Sequence, residues 1–289
     1  MSGHPFAVVL GATSLVGPYL CERLSVAGFL GDAISRRPPT DEAAMPAGFR
    51  WRRLDIQSPG GWRVPAGTVI LSLVPLWRLS DALPSLEAAR HIIVVGTTSV
   101  FSKATSADPR EADLVARIAT AEERVQQFCR NAGCSWTVLR PTLIYDPGRD
   151  RNISEIARVI RRFGFFPIVR PGNGLRQPVH ADDVAQAMVA AIDNPDAWDR
   201  AFNLPGGETL PYREMVCRIF SGLGQRPAIL PVPGSLLRMA FAAARPIYGG
   251  RYSPALLARM NQDLAFDGRP AQQALRFDPR PFRPVFPAG

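Results

Sequence analysis

The chain has a single lysine, Lys103, among 34 basic residues. Any lysine-dependent chemistry must therefore come from that one position, and the basic character of the chain belongs to arginine. Arginine bias also follows from coding composition, so it is not by itself a functional signal. The four cysteines (Cys21, Cys129, Cys134, Cys217) form no C-x-x-C pair, and the three histidines (His4, His91, His180) are scattered. This excludes a zinc pattern, and no metal is expected. No apolar run reaches the ~18 residues that a membrane helix needs. The N-terminus lacks a basic stretch before an apolar core, so no signal peptide is read there. A cytoplasmic protein with reduced thiols is expected. No internal repeat or long low-complexity tract is present.

What is there suits an ordinary soluble globular protein. The chain has 289 residues, 46% of them hydrophobic and 20% charged, enough for one large domain or two modest ones. The formal charge of +9 permits nucleic acid, anionic lipid or small anions as partners. The arginines are not interleaved with stacking aromatics and no nucleic-acid motif appears, so a small anionic substrate is favoured over nucleic acid.

The organising stretch is residues 6–18. Four apolar residues, Ala7 to Leu10, run into Gly11, then Ala12-Thr13-Ser14-Leu15-Val16, then Gly17-Pro18. This reads as a buried parallel strand, a tight turn and a helix start. A helix start offers unpaired N–H groups and a positive dipole end to an anion. Gly11 suits the tight turn and Gly17 the close packing of helix on strand, while Ser14 stands where a dinucleotide fingerprint has its middle glycine. Pro18 suits a first helical turn.

Further along, the pattern alternates. Helix is expected over 15–27 with Gly28 as its stop, and strand over 32–35. Strands follow over 49–56, ending in Asp55-Ile56, then over 68–74, broken by Pro75, and over 91–96. A helix over 112–132 buries Leu114, Val115, Ile118, Val125 and Phe128, with Glu122, Glu123 and Arg124 on the wet side. A strand over 135–139 closes with Arg140-Pro141. This order predicts an α/β fold built on a Rossmann-type doubly wound parallel sheet, with a smaller C-terminal α/β lobe. Ligands of such sheets lie beyond the C-terminal strand ends. Gly11 to Gly17, Arg36, Leu73-Val74-Pro75 and Thr97 to Ser99 all fall there. An acid at the end of the second strand suits the ribose hydroxyl of NAD, whereas Arg36-Arg37 suit the 2′-phosphate of NADP.

After Tyr145 the texture changes. Helices are expected over 152–163, over 183–192 with Asp182 as cap, and over 212–223, with a strand over 201–204. Residues 235–244 are amphipathic and fit either core packing or a surface-lying helix. The cofactor domain is taken as 1–145 completed by 178–205, and the substrate-side lobe as 146–177 with 206–289.

These blocks resemble the extended short-chain dehydrogenase/reductase superfamily, in its NAD(P)-dependent epimerase/dehydratase branch. The matching residues are the glycine turn 11–17, Asp55-Ile56, 97–101, Leu139-Arg140-Pro141 through Tyr145, 176–185 with its Val-His-Ala-Asp-Asp core, and Phe202-Asn203-Leu204. The resemblance implies NADP, or NAD, at Gly11, Thr13, Ser14, Leu15 and Gly17. It places Asp55 and Ile56 by the adenine and Leu73 to Pro75 along the cofactor. It puts Asn152 and Arg176 at a substrate such as a nucleotide sugar, and arginine has its own warrant there as a fork for phosphate. The chain departs from the family at its catalytic pair. None of Tyr19, Tyr145, Tyr212, Tyr248 and Tyr252 is followed four residues later by lysine. Counted back from Ala121-Glu122, the pair falls on Leu114 and Ile118. Thr97 survives as the hydroxyl partner, with Thr98 as the alternative register, and Lys103 is the available cation; these are the catalytic candidates. The reading is an atypical NADP-dependent reductase or epimerase, with a catalytically silent NAD(P)-binding sensor or assembly factor as the alternative.

Overall fold

The computed structural model describes residues 4–39, 45–102, 109–243, 257 and 259–287. It divides into two compact units, the first formed by Met1–Pro141, Ala181–Leu204 and Asp267–Asp278, the second by Thr142–His180, Pro205–Phe266 and Pro279–Gly289.

The first unit is built on seven parallel strands. They are β1 (Phe6–Leu10), β2 (Leu30–Ser35), β3 (Phe49–Arg53), β4 (Thr68–Ser72), β5 (Ala89–Val95), β6 (Ser135–Pro141) and β11 (Arg200–Leu204). Their spatial order is β11-β6-β5-β4-β1-β2-β3. β1 thus lies between β2 and β4, pairing Leu10 with Ile34 on one side and with Ser72 on the other. The chain reverses its direction of travel across the sheet at β1 and β4. At such a switch point the loops beyond the strand ends part and leave a crevice. Strands covered on both faces read as continuous apolar runs, and β4 (Thr-Val-Ile-Leu-Ser) is buried at every position.

The helices of this unit are α1 (Gly17–Val26), α2 (Leu76–Ala82), α3 (Ser99–Ser102), α4 (Pro109–Ala132), α6 (Ala181–Ala190) and α9 (Arg269–Leu275). Gly28, at φ +83°, ends the first helical stretch where an L side chain is strained. Along α4, Val115, Ile118, Ala121, Glu122, Val125 and Cys129 are buried at three- and four-residue spacings. The core joins Val8, Leu10, Ile34, Ile70, Ile92 and Val94 of the sheet to Leu79, Ile118 and Val125 of the helices.

The second unit holds β7 (Leu143–Tyr145) paired with β10 (Pro178–His180), β8 (Phe166–Val169) with β13 (Ile229–Val232), and β9 (Leu175–Arg176) with β12 (Leu210–Pro211). Helices α5 (Ile153–Phe163), α7 (Tyr212–Gly222) and α8 (Gly234–Ala243) complete it. Its own core centres on Tyr145, Ile160, Ile168, Ile219, Phe220 and Phe282.

Several expectations are corrected. The third strand stops at Arg53, and Asp55-Ile56 form a turn. The Asp55 carbonyl accepts the Ser58 N–H at 3.0 Å and its carboxylate accepts the Gln57 N–H at 3.1 Å, which is local competition with the ladder. The fourth strand stops at Ser72. Helix α1 starts at Gly17 rather than at residue 15, because 11–16 are held as successive turns. Asp182 is not a cap: it sits inside the first turn of α6 and accepts Nε of Arg23 at 2.6 Å. Residues 267–278 pack with the first unit instead of the second, because α9 buries Ala271 and Leu275 there and Asn194 Nδ2 donates to the Ala274 carbonyl at 2.5 Å. In α8, Leu237 is buried while Leu236 and Met239 are exposed, so one helix has both characters; Ala244 lies outside the described residues. Among the described residues no helix is long and apolar enough to cross a membrane, and no His, Cys, Asp and Glu cluster could hold a metal.

Gly17 sets how closely α1 approaches the turn. A Cβ there would lie 2.0 Å from the Ala12 carbonyl oxygen, which is backbone and cannot swing aside. Gly17→Ala is expected to destabilise the first unit by about 2 kcal/mol or more, within the range of overpacking changes. The check is the urea midpoint, and an unchanged midpoint would contradict the packing argument.

Candidate functional site

The glycine turn is built from backbone bonds. The N–H groups of Gly11 and Ala12 both donate to the Ile34 carbonyl, at 2.9 and 3.1 Å, so the turn is tied to the end of β2. Gly11 has φ +79°, and a Cβ on it would meet Val74 Cγ1 at 2.9 Å and the Leu73 carbonyl carbon at 3.3 Å. Glycine is required there for both conformation and space. Ser14 N–H returns to the Gly11 carbonyl at 2.9 Å, and Gly17 N–H to that of Ser14 at 3.2 Å. Pro18 has no N–H to offer. The N–H groups of Thr13, Leu15 and Val16 make no hydrogen bond among the described residues. Ser14 Oγ is buried and likewise has no partner among them. Unpaired donors beside a helix start are the chemistry that receives an oxyanion.

A cleft of about 550 Å³ opens over this turn. Of the predicted cofactor residues, Gly11, Thr13, Ser14, Arg36, Arg37, Asp55, Ile56, Leu73, Val74 and Pro75 all line it. Leu15 and Gly17 do not. The structure adds Ile34, Ser35, Leu54, Gln57 and Arg78. Ile34 and Ser35 follow from the position of β2. Arg78 has no signal in the motif spacing, because α2 brings it to the wall only through folding.

Electrostatics divide the acids from the arginines. Asp32, the one acid on β2, is 3% exposed and lies mid-strand opposite Val8. Arg50 Nε and Arg52 Nη1 hold its two oxygens at 2.7 and 3.3 Å. The end of β2 therefore presents Ser35, Arg36 and Arg37. Ser35 Oγ shares a hydrogen bond with Thr13 Oγ1 at 3.1 Å and accepts the Arg37 N–H at 3.2 Å, which ties the arginine-bearing segment to the turn. Arg36, Arg37 and Arg78 have no carboxylate partner among the described residues. The donor set fits a nicotinamide dinucleotide: free N–H groups and a glycine cradle for phosphate, apolar Ile56, Leu73 and Val74 for a flat base, and arginines without carboxylate partners for negative charge.

The catalytic candidates are placed differently. Thr97 Oγ1 donates to Ser99 Oγ and accepts the Ser99 N–H, both at 3.1 Å, at the start of α3; it does not line the cleft. Thr98 is buried, its hydroxyl on the Pro141 carbonyl at 3.4 Å. Lys103 lies outside the described residues. Ile118 is buried and Leu114 packs against the same core.

Glu122, expected on the wet side of α4, is 5% exposed. Its oxygens accept Nε of Arg140 at 3.2 Å each, and Arg140 Nη2 bonds Oε2 more closely still. The Arg140 guanidinium lies 5.3 Å from the Phe101 ring centre. A charge one step off an apolar stripe reads as solvated in the sequence; only the neighbouring strand end reveals its partner.

In the second unit, Arg176 is 6% exposed and its guanidinium is engaged. Nη1 donates to the carbonyls of Leu175 and Gln262 at 2.7 and 2.8 Å, and Nη2 to that of Arg259. Burial lowers its pKa from the usual arginine value. The Tyr212 ring lies 5.3 Å beneath it, and burial pushes the phenol of Tyr212 up to about 12 against the opposing pull of that charge. Arg176 thus bonds chain segments in this structure. Asn152 is exposed, and its N–H donates to Asp150 Oδ1 at 2.8 Å. Asn152 holds the N-cap position of α5 without a side-chain capping bond, and Asp150 Oδ1 takes the Ile153 N–H at 2.6 Å in its stead.

Residues 73–204 match the model of the NAD dependent epimerase/dehydratase family. A UDP-glucose 4-epimerase of Vibrio cholerae is 25% identical over 113 residues, 39% of this chain and 34% of that protein. A mitochondrial NADH dehydrogenase [ubiquinone] 1 alpha subcomplex subunit 9 of Arabidopsis thaliana is 25% identical over 130 residues, 45% of this chain and 32% of that one. The chain spans about a third of the length of the curated relatives it matches. Among solved structures, the Thermotoga maritima UDP-glucose 4-epimerase with UDP-glucose has a TM-score of 0.67 at 14% identity, covering 95% of this chain and 94% of that one. The Bacillus cereus UDP-glucuronic acid 4-epimerase with UDP-glucuronic acid and NAD has a TM-score of 0.68 at 14% identity, covering 96% and 95%. These likenesses establish the Rossmann-type epimerase fold.

Removing one partner of a buried ion pair leaves an uncompensated charge, at about 3–5 kcal/mol. Glu122→Leu is therefore expected to destabilise strongly, and the double change Glu122→Leu with Arg140→Met to recover part of the loss. Urea midpoints of the two variants check this, and a double variant less stable than the single one would contradict it.

Proposed function

We propose, from the match of residues 73–204 to the NAD dependent epimerase/dehydratase family, that the first unit of this chain binds a nicotinamide dinucleotide, NADP in preference to NAD, for an epimerase- or reductase-type reaction on a small anionic substrate. The observation that carries the cofactor preference is the end of β2. Its cleft-lining residues are Arg36 and Arg37, without carboxylate partners among the described residues, while Asp32 is engaged by Arg50 and Arg52. An acid free to take a ribose hydroxyl is missing there, and two guanidinium groups free to take a phosphate are present.

When bound, the nicotinamide ring supplies hydride acceptance and return. In this reading the free N–H groups of the glycine turn hold the pyrophosphate. Ile56, Leu73 and Val74 enclose apolar parts of the dinucleotide and exclude water. The relatives named for UDP-sugars support a nucleotide-sugar-like substrate. Thr97, at the strand end after β5, is the hydroxyl proposed for proton handling, and Lys103, six residues on in the sequence, is the one lysine available to assist it. Arg176 supports substrate only if its carbonyl partners release it, so the substrate assignment leans on Asn152 and on the relatives. The free thiols of Cys21, Cys129, Cys134 and Cys217 suit work in the reducing cytoplasm.

A second reading is favoured by one observation. The two α4 positions that should carry the tyrosine and lysine are Leu114 and Ile118, both packed on the core. In that reading the protein binds the cofactor and is catalytically silent, as a sensor or assembly factor.

Calorimetry on the full chain is expected to show NADPH binding at least about tenfold tighter than NADH, the effect of one charge-assisted phosphate contact. The pair Arg36→Ala and Arg37→Ala should erase that preference while leaving NADH binding in place. Binding of neither dinucleotide would overturn both readings. Incubation with nucleotide sugars, followed by nicotinamide absorbance and product NMR, then separates them: turnover supports the enzyme, and tight binding with no product across a broad panel supports the silent binder.

A further inference from the structure

The geometry points to Arg78 as a specificity-determining residue that grips the extra phosphate of NADP together with Arg36 and Arg37, which line the same cleft. This rests on the dinucleotide reading above and goes beyond it, because Arg78 belongs to no motif of the sequence.

Arg78 is the third residue of α2 and lines the cleft. Its backbone N–H is bonded to the Pro75 carbonyl at 2.9 Å, so the stem is held in the first helical turn. A cation is least favoured in the first turn of a helix, since the N-terminal dipole end is itself positive. Helix stability therefore does not account for an arginine there. Nor does an ion pair. Asp81 stands three residues on, at the spacing that pairs charges on a helix. Its Oδ2 instead accepts Gln57 Nε2 at 3.4 Å, and Arg78 has no carboxylate partner among the described residues. Arg78 is half-buried at the cleft wall, and a partly desolvated guanidinium without a counter-charge calls for an anion.

The same Gln57–Asp81 bond locates that anion. It ties α2 to the turn bearing Asp55, which lines the cleft beyond the end of β3. Since β3 neighbours β2 in the sheet, this turn and Arg36-Arg37 flank the same end of the cleft. The three lining arginines outnumber the single lining carboxylate, Asp55. The pyrophosphate has its own donors in the free N–H groups of the glycine turn, shared by NAD and NADP. The surplus positive charge at the other end matches the dianionic 2′-phosphate that only NADP carries.

Calorimetry with four probes tests this on the full chain: NADPH, NADH, adenosine 2′,5′-bisphosphate and adenosine 5′-monophosphate. Arg78→Gln should weaken NADPH and the bisphosphate about tenfold or more, and leave NADH and the monophosphate within about twofold. Arg78→Lys, which keeps the charge but not the fork, should recover part of the loss. Thermal midpoints confirm that the variants fold. If wild type binds NADPH and Arg78→Gln binds it equally well, the inference falls and the dinucleotide reading stands. An equal loss for NADPH and NADH also overturns it, placing Arg78 on the shared pyrophosphate. If wild type binds neither dinucleotide, the dinucleotide reading itself has failed.

Discussion

The cleft depends on a backbone approach that leaves no room for a methyl group. At Gly11 the chain turns through positive φ with Val74 and Leu73 pressed against the missing side chain, while two N–H groups hook onto the end of β2. At Gly17 the helix starts 2.0 Å, measured from a would-be Cβ, from the Ala12 oxygen. These contacts join β1, β2, β4 and α1 around one turn. They also leave the N–H groups of Thr13, Leu15 and Val16 without internal partners, and that is what makes the turn receptive to an anion. Ser14 in place of a middle glycine does not prevent this, because its neighbours supply the donors and the cleft still opens above it.

Charge in this molecule is sorted by whether the fold satisfies it. Asp32 is satisfied by Arg50 and Arg52, Glu122 by Arg140, and Arg176 by three carbonyls. In a chain whose basic residues are almost all arginine, abundance says little about function. What distinguishes Arg36, Arg37 and Arg78 is that they line a cleft and stay unneutralised among the described residues. Arg36 and Arg37 are exposed and Arg78 is half-buried, and cations gathered at one cleft without a counter-charge favour an anionic ligand there.

The glycine turn, the arginine pair after β2 and the alternation of strands with helices were legible in the sequence, because each rests on local chemistry: positive φ, a short apolar run, a strand end of known place. The Asp55 turn was visible as residues but was read as strand, since an aspartate that bonds its own backbone looks the same as one that continues a ladder. Glu122 was misread as solvated, and the carbonyl partners of Arg176 went unseen, for a shared reason. Periodicity and motif position report where a charged residue sits along an element, and neither reports what the rest of the chain brings to it.

By itself, then, the sequence determined the order of the main elements and the turn that must be glycine, since those follow from backbone sterics and residue identity alone. Only the tertiary structure decided that Arg78 shares a cleft with Arg36 and Arg37, that Asp32 is held by Arg50 and Arg52, and that Leu114 and Ile118 pack on the core. Burial and ion pairing are relations between residues far apart in the chain, and local spacing carries no information about them.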